Sequence, residues 1–551
     1  MPDLPTKPEA KSATESVILL QKADDVQSGR KRPDSNYPYL QLDYDLPFTH
    51  IGTDRQLFVD NFMLDHLESV ERVFPTPEKL DHPIIEIGDL PWETHANPIP
   101  SGAIHDPDDG KFKIWYCQSL SGDPFNTGQV LCYAESDDCV VWRKPRLTGS
   151  LPYGDDRETN IVHRDTAAVT IVLNHDTSDA SRKYLMLYCP YGEARERGER
   201  ILSRVAASAD GLKWNVISDD SPFRHQHELR VIYDSAIQQW IGYAQHSHHW
   251  HNGSRVRQIG RQTSPDFIHW SPKTVVLSPD TQPHLPPDIE FGSMRVHKVG
   301  GLYLGMVSEY VCDPLWCVNK TSGANWRDQA RPRLGLYCSR DGLSWQCVRS
   351  GWVENGPPGS PDYGYLESPN GPFHHSGKTY VPYLACPHKQ WATGRSDQPS
   401  LVPEFQRDAS ELRLKQSQQH GIDPYGTQLR RSIGMLVFPE DAWAILRPVC
   451  EEGHVITRQF VFEGDTLYVN AECNYGFVRV EVLDPWFKPY PGFAAMDCDP
   501  IHQQDSETWQ QVSWKGQSDV SPLWNKPVRL RIHLHEATIS GFEFRWRKPR
   551  P

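Results

Sequence analysis

Five short polar segments hold the candidate acid–base residues of this chain. They are PWETHANP, with Glu93 and His95; ETNIVHRDTAA, with His163, Arg164 and Asp165; FRHQHELR, with His227, Glu228 and Arg230; PPDIEFGSMR, with Asp288 and Glu290; and YGYLESPNGPF, with Tyr365 and Glu367. Each carries at least one carboxylate, and each precedes a strand-like run. Between them stand Tyr188, His246, Trp250, Trp316 and Trp391, side chains able to line a pocket. Several carboxylates beside aromatic platforms suit sugar chemistry. One acid must be protonated to give a proton to a leaving oxygen, and a second must be ionised to attack or to activate water. Crowding like charges separates their pKa values and so their roles. Flat rings and Arg forks can hold a sugar's apolar face and its hydroxyls.

The elements that must position these residues are legible from a repeat. Ser, any residue, Asp, three residues, Trp occurs as SDDCVVW (Ser136–Trp142), SADGLKW (Ser208–Trp214), SPDFIHW (Ser264–Trp270) and SRDGLSW (Ser339–Trp345), with a worn fifth copy at Glu440–Trp443. Repetition at this length marks one supersecondary unit copied several times. Asp-Gly in two copies is a hairpin signal, and the Trp begins the next strand. Upstream of each copy lies an aromatic-rich run: KFKIWYCQSL, RKYLMLYCPYG, QQWIGYAQ, GLYLGMVSEY and GKTYVPYLACP. Four-stranded units copied radially predict a five-bladed β-propeller over 46–448. The repeated Asp residues are expected to cap turns, and the repeated Trp residues to pack. The segment DASELRLKQSQQ in the fifth unit reads as a short helix. After about Cys450, alternating runs predict a β-sandwich over 449–551, and 1–45 reads as a flexible arm. The fold class is therefore all-β. In antiparallel order the first strand starts where the second ends, so the five polar segments are expected to share one mouth.

The residues resemble the five-bladed glycoside hydrolases: invertase and fructanase enzymes, arabinanases and xylosidases, and mannoside phosphorylases. LESPNGPFHHSGKTY around Glu367 resembles the Glu-x-Pro motif that carries the family's general acid. His163–Asp165 resembles the Arg-Asp motif whose Asp stabilises the transition state, and the S-x-D-G-x-x-W hairpins resemble the family's blade turns. The resemblance implies a glycosidase with Glu367 as proton donor and Asp165 steadying an oxocarbenium-like transition state. Two departures stand out. ANPIPSGAIHD has Ile99 where the family's first-blade nucleophilic Asp belongs, and SPNGPF has Ser368 in the matching position. The Glu-x-Pro motif also falls in a later blade than in the arabinanase-like and fructanase-like enzymes. Glu290 is the best replacement carboxylate, as nucleophile or base, followed by Glu228 and Glu93.

Bulk properties narrow the partners. The 551 residues carry a net charge of −14, which repels nucleic acid and anionic membranes at long range. The expected partner is a small carbohydrate or glycoside, with no cofactor. The His-rich HSHHWH segment (246–251) lacks a specific ligand spacing, so it reads as a substrate-bonding or solvated loop rather than a metal site. The twelve Cys form no zinc-ribbon pattern and read as buried free thiols. No leader or membrane-spanning run is evident, which predicts a cytoplasmic protein. Two other functions fit the same scaffold. One is a lyase or cyclase using His and Tyr proton transfers, with Arg195, Arg197 and Arg230 for a carboxylate. The other is a non-catalytic carbohydrate binder.

Overall fold

Five antiparallel sheets follow one another along the chain, four of them laid down strand by strand in sequence order and the fifth completed by a strand from before the first. The computed structural model describes residues 49–93, 95–119, 129–190, 202–224, 229–249, 255–285, 289–311, 331–387, 431–473, 475–502 and 508–547. The arm at 1–45 and the helix expected within 395–430 lie outside these residues. The described chain is almost entirely β, and it divides into two units, 74–443 and a second made of 49–73 with 444–547. The first described strands thus group with the C-terminal residues, beside the expected ranges 46–448 and 449–551.

In the first unit, sheet I holds His95–His105, Phe112–Ser119, Gln129–Ser136 and, both paired with that third strand, Trp142–Arg143 and Ile161–Arg164; sheet II holds Ala167–Leu173, Tyr184–Cys189, Leu202–Ser208 and Asn215–Arg224. Sheet III holds Arg230–Asp234, Gln239–His249, Arg255–Ser264 and Thr274–Leu277, and sheet IV holds Ile289–Val299, Leu302–Val311, Arg331–Ser339 and Gln346–Val353. In sheet V, Tyr365–Glu367 and Phe373–His375 both pair with Lys378–Cys386, followed by Ser432–Pro439. Its outermost strand is Glu78–Lys79, which comes from before sheet I. The first strands of sheets I to IV pack side by side in order, Tyr365–Glu367 of sheet V packs against the third strand of sheet IV, and the strands of sheet V return to the first strand of sheet I. Phe112 of sheet I meets Phe373 of sheet V edge-on at 5.3 Å. One expectation changes here. Ile161–Arg164 is an outer strand of sheet I, not a lead-in to sheet II, so Asp165 and Thr166 form the crossing between them.

The repeated phrase builds one turn four times. In each copy the Ser hydroxyl meets the Asp carboxylate at 2.9–3.1 Å, and that carboxylate accepts the main-chain N–H groups two and three residues on. The hydrogen bonds are local, so the turn is written in the sequence. The residue after each Asp is left-handed: Cys139 (φ 65), Gly211 (φ 76), Phe267 (φ 67) and Gly342 (φ 66). Cys139 and Phe267 are fully buried, so packing compensates for their strained backbone. Gly211 has no such room. A Cβ there would stand 2.5 Å from Trp115 Cζ2, whose Nε1 donates to Gly211 O at 2.7 Å. Gly211→Ala is expected to lower unfolding stability by about 2–3 kcal/mol, combining left-handed strain with overpacking. Urea unfolding followed by Trp fluorescence checks this, and an unchanged midpoint contradicts it.

Buried acid–base latches tie sheets together at the ends of the first strands. Asp106 of sheet I accepts from Lys113 (2.5 Å), from Lys183 (2.6 Å) of sheet II and from the Tyr184 hydroxyl. Asp234 of sheet III accepts from Lys298 and Tyr303 of sheet IV. Lys79 bonds Asp362 at 2.5 Å, fastening the outermost strand of sheet V. The ten described cysteines are free, and all but Cys450 are buried.

In the second unit, a six-stranded sheet and a four-stranded sheet share one apolar cluster. Val478, Val480 and Val482 alternate inward on one strand, as do Leu530, Ile532 and Leu534 on its neighbour. Phe542 and Phe544 are buried as expected from their spacing of two, while Trp546 is half-buried.

Candidate functional site

Three sheets meet around one phenol. Glu290, fully buried, lies at the start of the first strand of sheet IV, directly across from Tyr310 on the second. The Tyr310 hydroxyl donates to Glu367 Oε2 on sheet V at 2.5 Å. The Arg257 guanidinium of sheet III covers the same ring, 4.9 Å from its centroid. Gly292 makes space for it, since a Cβ there would stand 2.2 Å from Tyr310 Cε2. Tyr365, two residues before Glu367 and buried, has the Arg431 guanidinium 5.4 Å from its ring centroid. Burial pushes the Tyr365 phenol well above its ordinary value, while Arg431 pulls the other way. Arg431 also lies within electrostatic reach of Glu367.

The turn after Glu367 is held from below. Ser293 and Ser308 bond through their hydroxyls at 2.8 Å, and Ser308 Oγ accepts the Ser368 N–H at 3.3 Å. Ser368 is buried with φ 50, a left-handed backbone that persists only where its surroundings determine it. Beneath this level, two guanidinium groups cross between first strands. Arg230 donates to Val169 O (3.3 Å), Leu229 O (3.4 Å) and Pro100 O (3.3 Å). Asn370 Nδ2 reaches the same Pro100 carbonyl at 3.2 Å, and Arg295 Nε donates to Gly371 O at 2.8 Å. Burial, with the neighbouring Arg230 charge, brings the Arg295 pKa down to about 9. These contacts join the first strands of all five sheets.

No family model and no curated protein matches this chain. Among solved structures, it is similar to a fructofuranosidase from Schwanniomyces occidentalis complexed with fructose (11% identity over 84% of this chain and 97% of that one, TM-score 0.38). It is also similar to a thermostable family-43 glycoside hydrolase (13% identity, 63% and 94%, TM-score 0.34). A third is an N-acetylgalactosamine deacetylase from F. plautii in complex with blood group B trisaccharide (15% identity, 68% and 97%, TM-score 0.40). Likenesses at these scores bear on no residue's role.

The other expected site residues take varied places. Asp165 is half-buried with φ 50 in the crossing from sheet I to sheet II, on a different pair of sheets from Glu290 and Glu367. His163 Nδ1 lies 2.5 Å from Thr166 Oγ1, and its ring meets the buried Tyr188 edge-on at 4.8 Å. Arg164 is exposed and donates to Pro152 O. Glu93, expected among the substrate-binding residues, is buried, and its carboxylate accepts from Tyr116 (3.0 Å) and Lys144 (2.8 Å). Arg230, expected at the mouth, holds main-chain carbonyls across first strands instead. His246 is half-buried on the second strand of sheet III. His95 is placed only by its backbone, opposite Ser119. His227, Glu228, Asp288, Trp250, Trp316 and Trp391 lie outside the described residues.

The sequence gives no sign of the bond from Tyr310 to Glu367, nor of the parts played by Arg257 and Arg431, and Arg295, which lies in the PPDIEFGSMR segment, carries no hint there of its bond to Gly371 O. Glu309, one residue before Tyr310, illustrates why neighbours in sequence differ in role. It points to the opposite face, where Tyr337, Ser350, the Gly351 N–H and Arg333 saturate its carboxylate at 2.9–3.2 Å.

Proposed function

We propose that residues 74–443 form a five-bladed β-propeller, with a β-sandwich in the second unit, and that the propeller hydrolyses the glycosidic bond of a small glycoside or furanoside. The observation that carries this reading is the Glu290–Tyr310–Glu367 arrangement, two carboxylate-bearing strands joined through a single phenol. A phenol donating into a carboxylate supports its ionised form. Glu367 therefore suits the nucleophile or water-activating base, and the solvent-shielded Glu290 suits the proton donor, the reverse of the roles implied by resemblance. Asp165, in the crossing from sheet I to sheet II, is assigned to the transition-state charge. The commitment of Arg230 to main-chain carbonyls supports hydrolysis over elimination beside a uronate carboxylate.

The test is turnover across aryl and disaccharide glycosides, with products identified by mass spectrometry. Simple hydrolysis is expected. An unsaturated, ultraviolet-absorbing product would favour a lyase, and saturable binding without turnover would favour a carbohydrate binder. Tyr310 is a positioning residue in this reading. Tyr310→Phe is expected to lower kcat by about 10–100-fold with KM little changed, the loss of one hydrogen bond to a charged group. A change confined to KM contradicts that role.

A further inference from the structure

We propose that His297, His374 and Asp441 form a binding site for one divalent first-row transition ion, with Zn²⁺ the best chemical match. One ligand atom from each of the three lies within 4.8 Å of the others. His297 is near the end of the first strand of sheet IV, His374 is on the second part of the first strand of sheet V, and Asp441 follows the third strand of sheet V. An ion here joins two neighbouring sheets. Glu290 and His297 lie seven residues apart on one strand, so the cluster sits roughly 20 Å from the candidate carboxylate, at about 3.3 Å per residue. The ion accordingly takes no part in chemistry at Glu290 and acts as a clip.

The surroundings are built to present these ligands. Asp441 belongs to the worn fifth copy of the repeated phrase, where Pro439 replaces the Ser and the Trp comes two residues later instead of four. Its buried carboxylate, on a left-handed residue (φ 57), accepts from Trp443 Nε1 at 3.4 Å through Oδ1, which helps to fix its orientation. Its N–H donates to Thr379 Oγ1 at 3.1 Å, and the same hydroxyl faces His374 Nδ1 at 3.3 Å. With the Nδ1 proton on Thr379, His374 Nε2 keeps its lone pair for a metal, the usual way a ligating imidazole is oriented. The His297 ring lies 5.7 Å from that of His374 and 6.0 Å from that of Trp443. Both imidazoles are half-buried, so solvent can deliver an ion and water can complete its coordination. Two neutral nitrogens and one carboxylate favour Zn²⁺ and its neighbours over Ca²⁺ or Mg²⁺, which prefer all-oxygen sites.

The test uses the full chain stripped with a chelator, and Co²⁺ as a coloured probe. One equivalent of Co²⁺ is expected to bind, with visible absorption that Zn²⁺ displaces, and Zn²⁺ is expected to raise Tm in a concentration-dependent way. Thr379→Val, which removes only the group orienting His374, is expected to weaken Co²⁺ about 10–100-fold; His374→Gln and Asp441→Asn should weaken it more. If those variants do not fold, the wild-type chain still decides, through metal stoichiometry and protection of the His374 peptide from diethyl pyrocarbonate by Zn²⁺. The proposal is overturned by absence of stoichiometric Co²⁺ uptake. It is equally overturned by uptake that is unchanged in a His297→Gln/His374→Gln double variant. Glycoside turnover is not a readout, so the outcome is independent of the hydrolase reading.

Discussion

Glu367→Gln is expected to reduce hydrolysis by about 10²–10⁴-fold on every glycoside, with folding intact, because the amide oxygen still accepts from Tyr310. Glu290→Gln should cost as much on substrates with poor leaving groups but little on a dinitrophenyl glycoside, whose leaving group needs no proton. Azide should restore turnover to Glu367→Gln with a glycosyl azide of inverted configuration, whereas any azide product from Glu290→Gln should keep the substrate's configuration. This contrast separates an ionised nucleophile or base from a proton donor by chemistry rather than by position. The opposite pattern would return the roles to those implied by resemblance. Full kcat in both variants would falsify the hydrolase reading.

The second large effect concerns stability. Asp106→Ala is expected to destabilise the chain by about 2–4 kcal/mol, because it removes the counter-charge shared by the buried Lys113 and the half-buried Lys183, which keep only the more exposed Asp109 and Asp108. Burial alone would raise the Asp106 pKa, but the bonds from Lys113, Lys183 and Tyr184 prevail and hold it well below the usual carboxylate range. The sign of the pH dependence follows. A depressed folded-state pKa contributes stability that is fully present above the unfolded value near 4 and is lost as pH falls below it. The wild-type chain should therefore lose stability between about pH 4 and pH 2 more steeply than Asp106→Ala. Chemical unfolding at neutral and acidic pH measures both, and equal pH profiles would remove Asp106 from the account.

How much could be read in advance depended on the range of the interactions. The second strands of all five sheets were legible as aromatic runs, and each was found: Phe112–Ser119, Tyr184–Cys189, Gln239–His249, Leu302–Val311 and Lys378–Cys386. The Ser-x-Asp turns were legible because donor and acceptor lie within a few residues of each other. The partners of Asp106, Glu93 and Glu309 were not. Their carboxylates look like any others in sequence, yet Lys183 is 77 residues from Asp106 and Lys144 is 51 from Glu93. Ile161–Arg164 was misread for the same reason. Its short polar run has the texture of a lead-in segment, and only pairing with Val130–Cys132 makes it an outer strand.

Composition, alternation and the repeated phrase, by themselves, determined an all-β chain of five copied units and the order in which its carboxylates enter them. Tertiary structure alone decided which of those carboxylates are neutralised in latches, that Glu367 accepts from Tyr310 of the neighbouring sheet, and that Glu290 stands across from that tyrosine. It also drew residues 49–73 away from the repeats and set His297 beside His374 and Asp441. The physical reason is that strand and turn patterns arise from bonds a few residues long, whereas a side chain's role depends on charges and donors brought near it from distant parts of the chain.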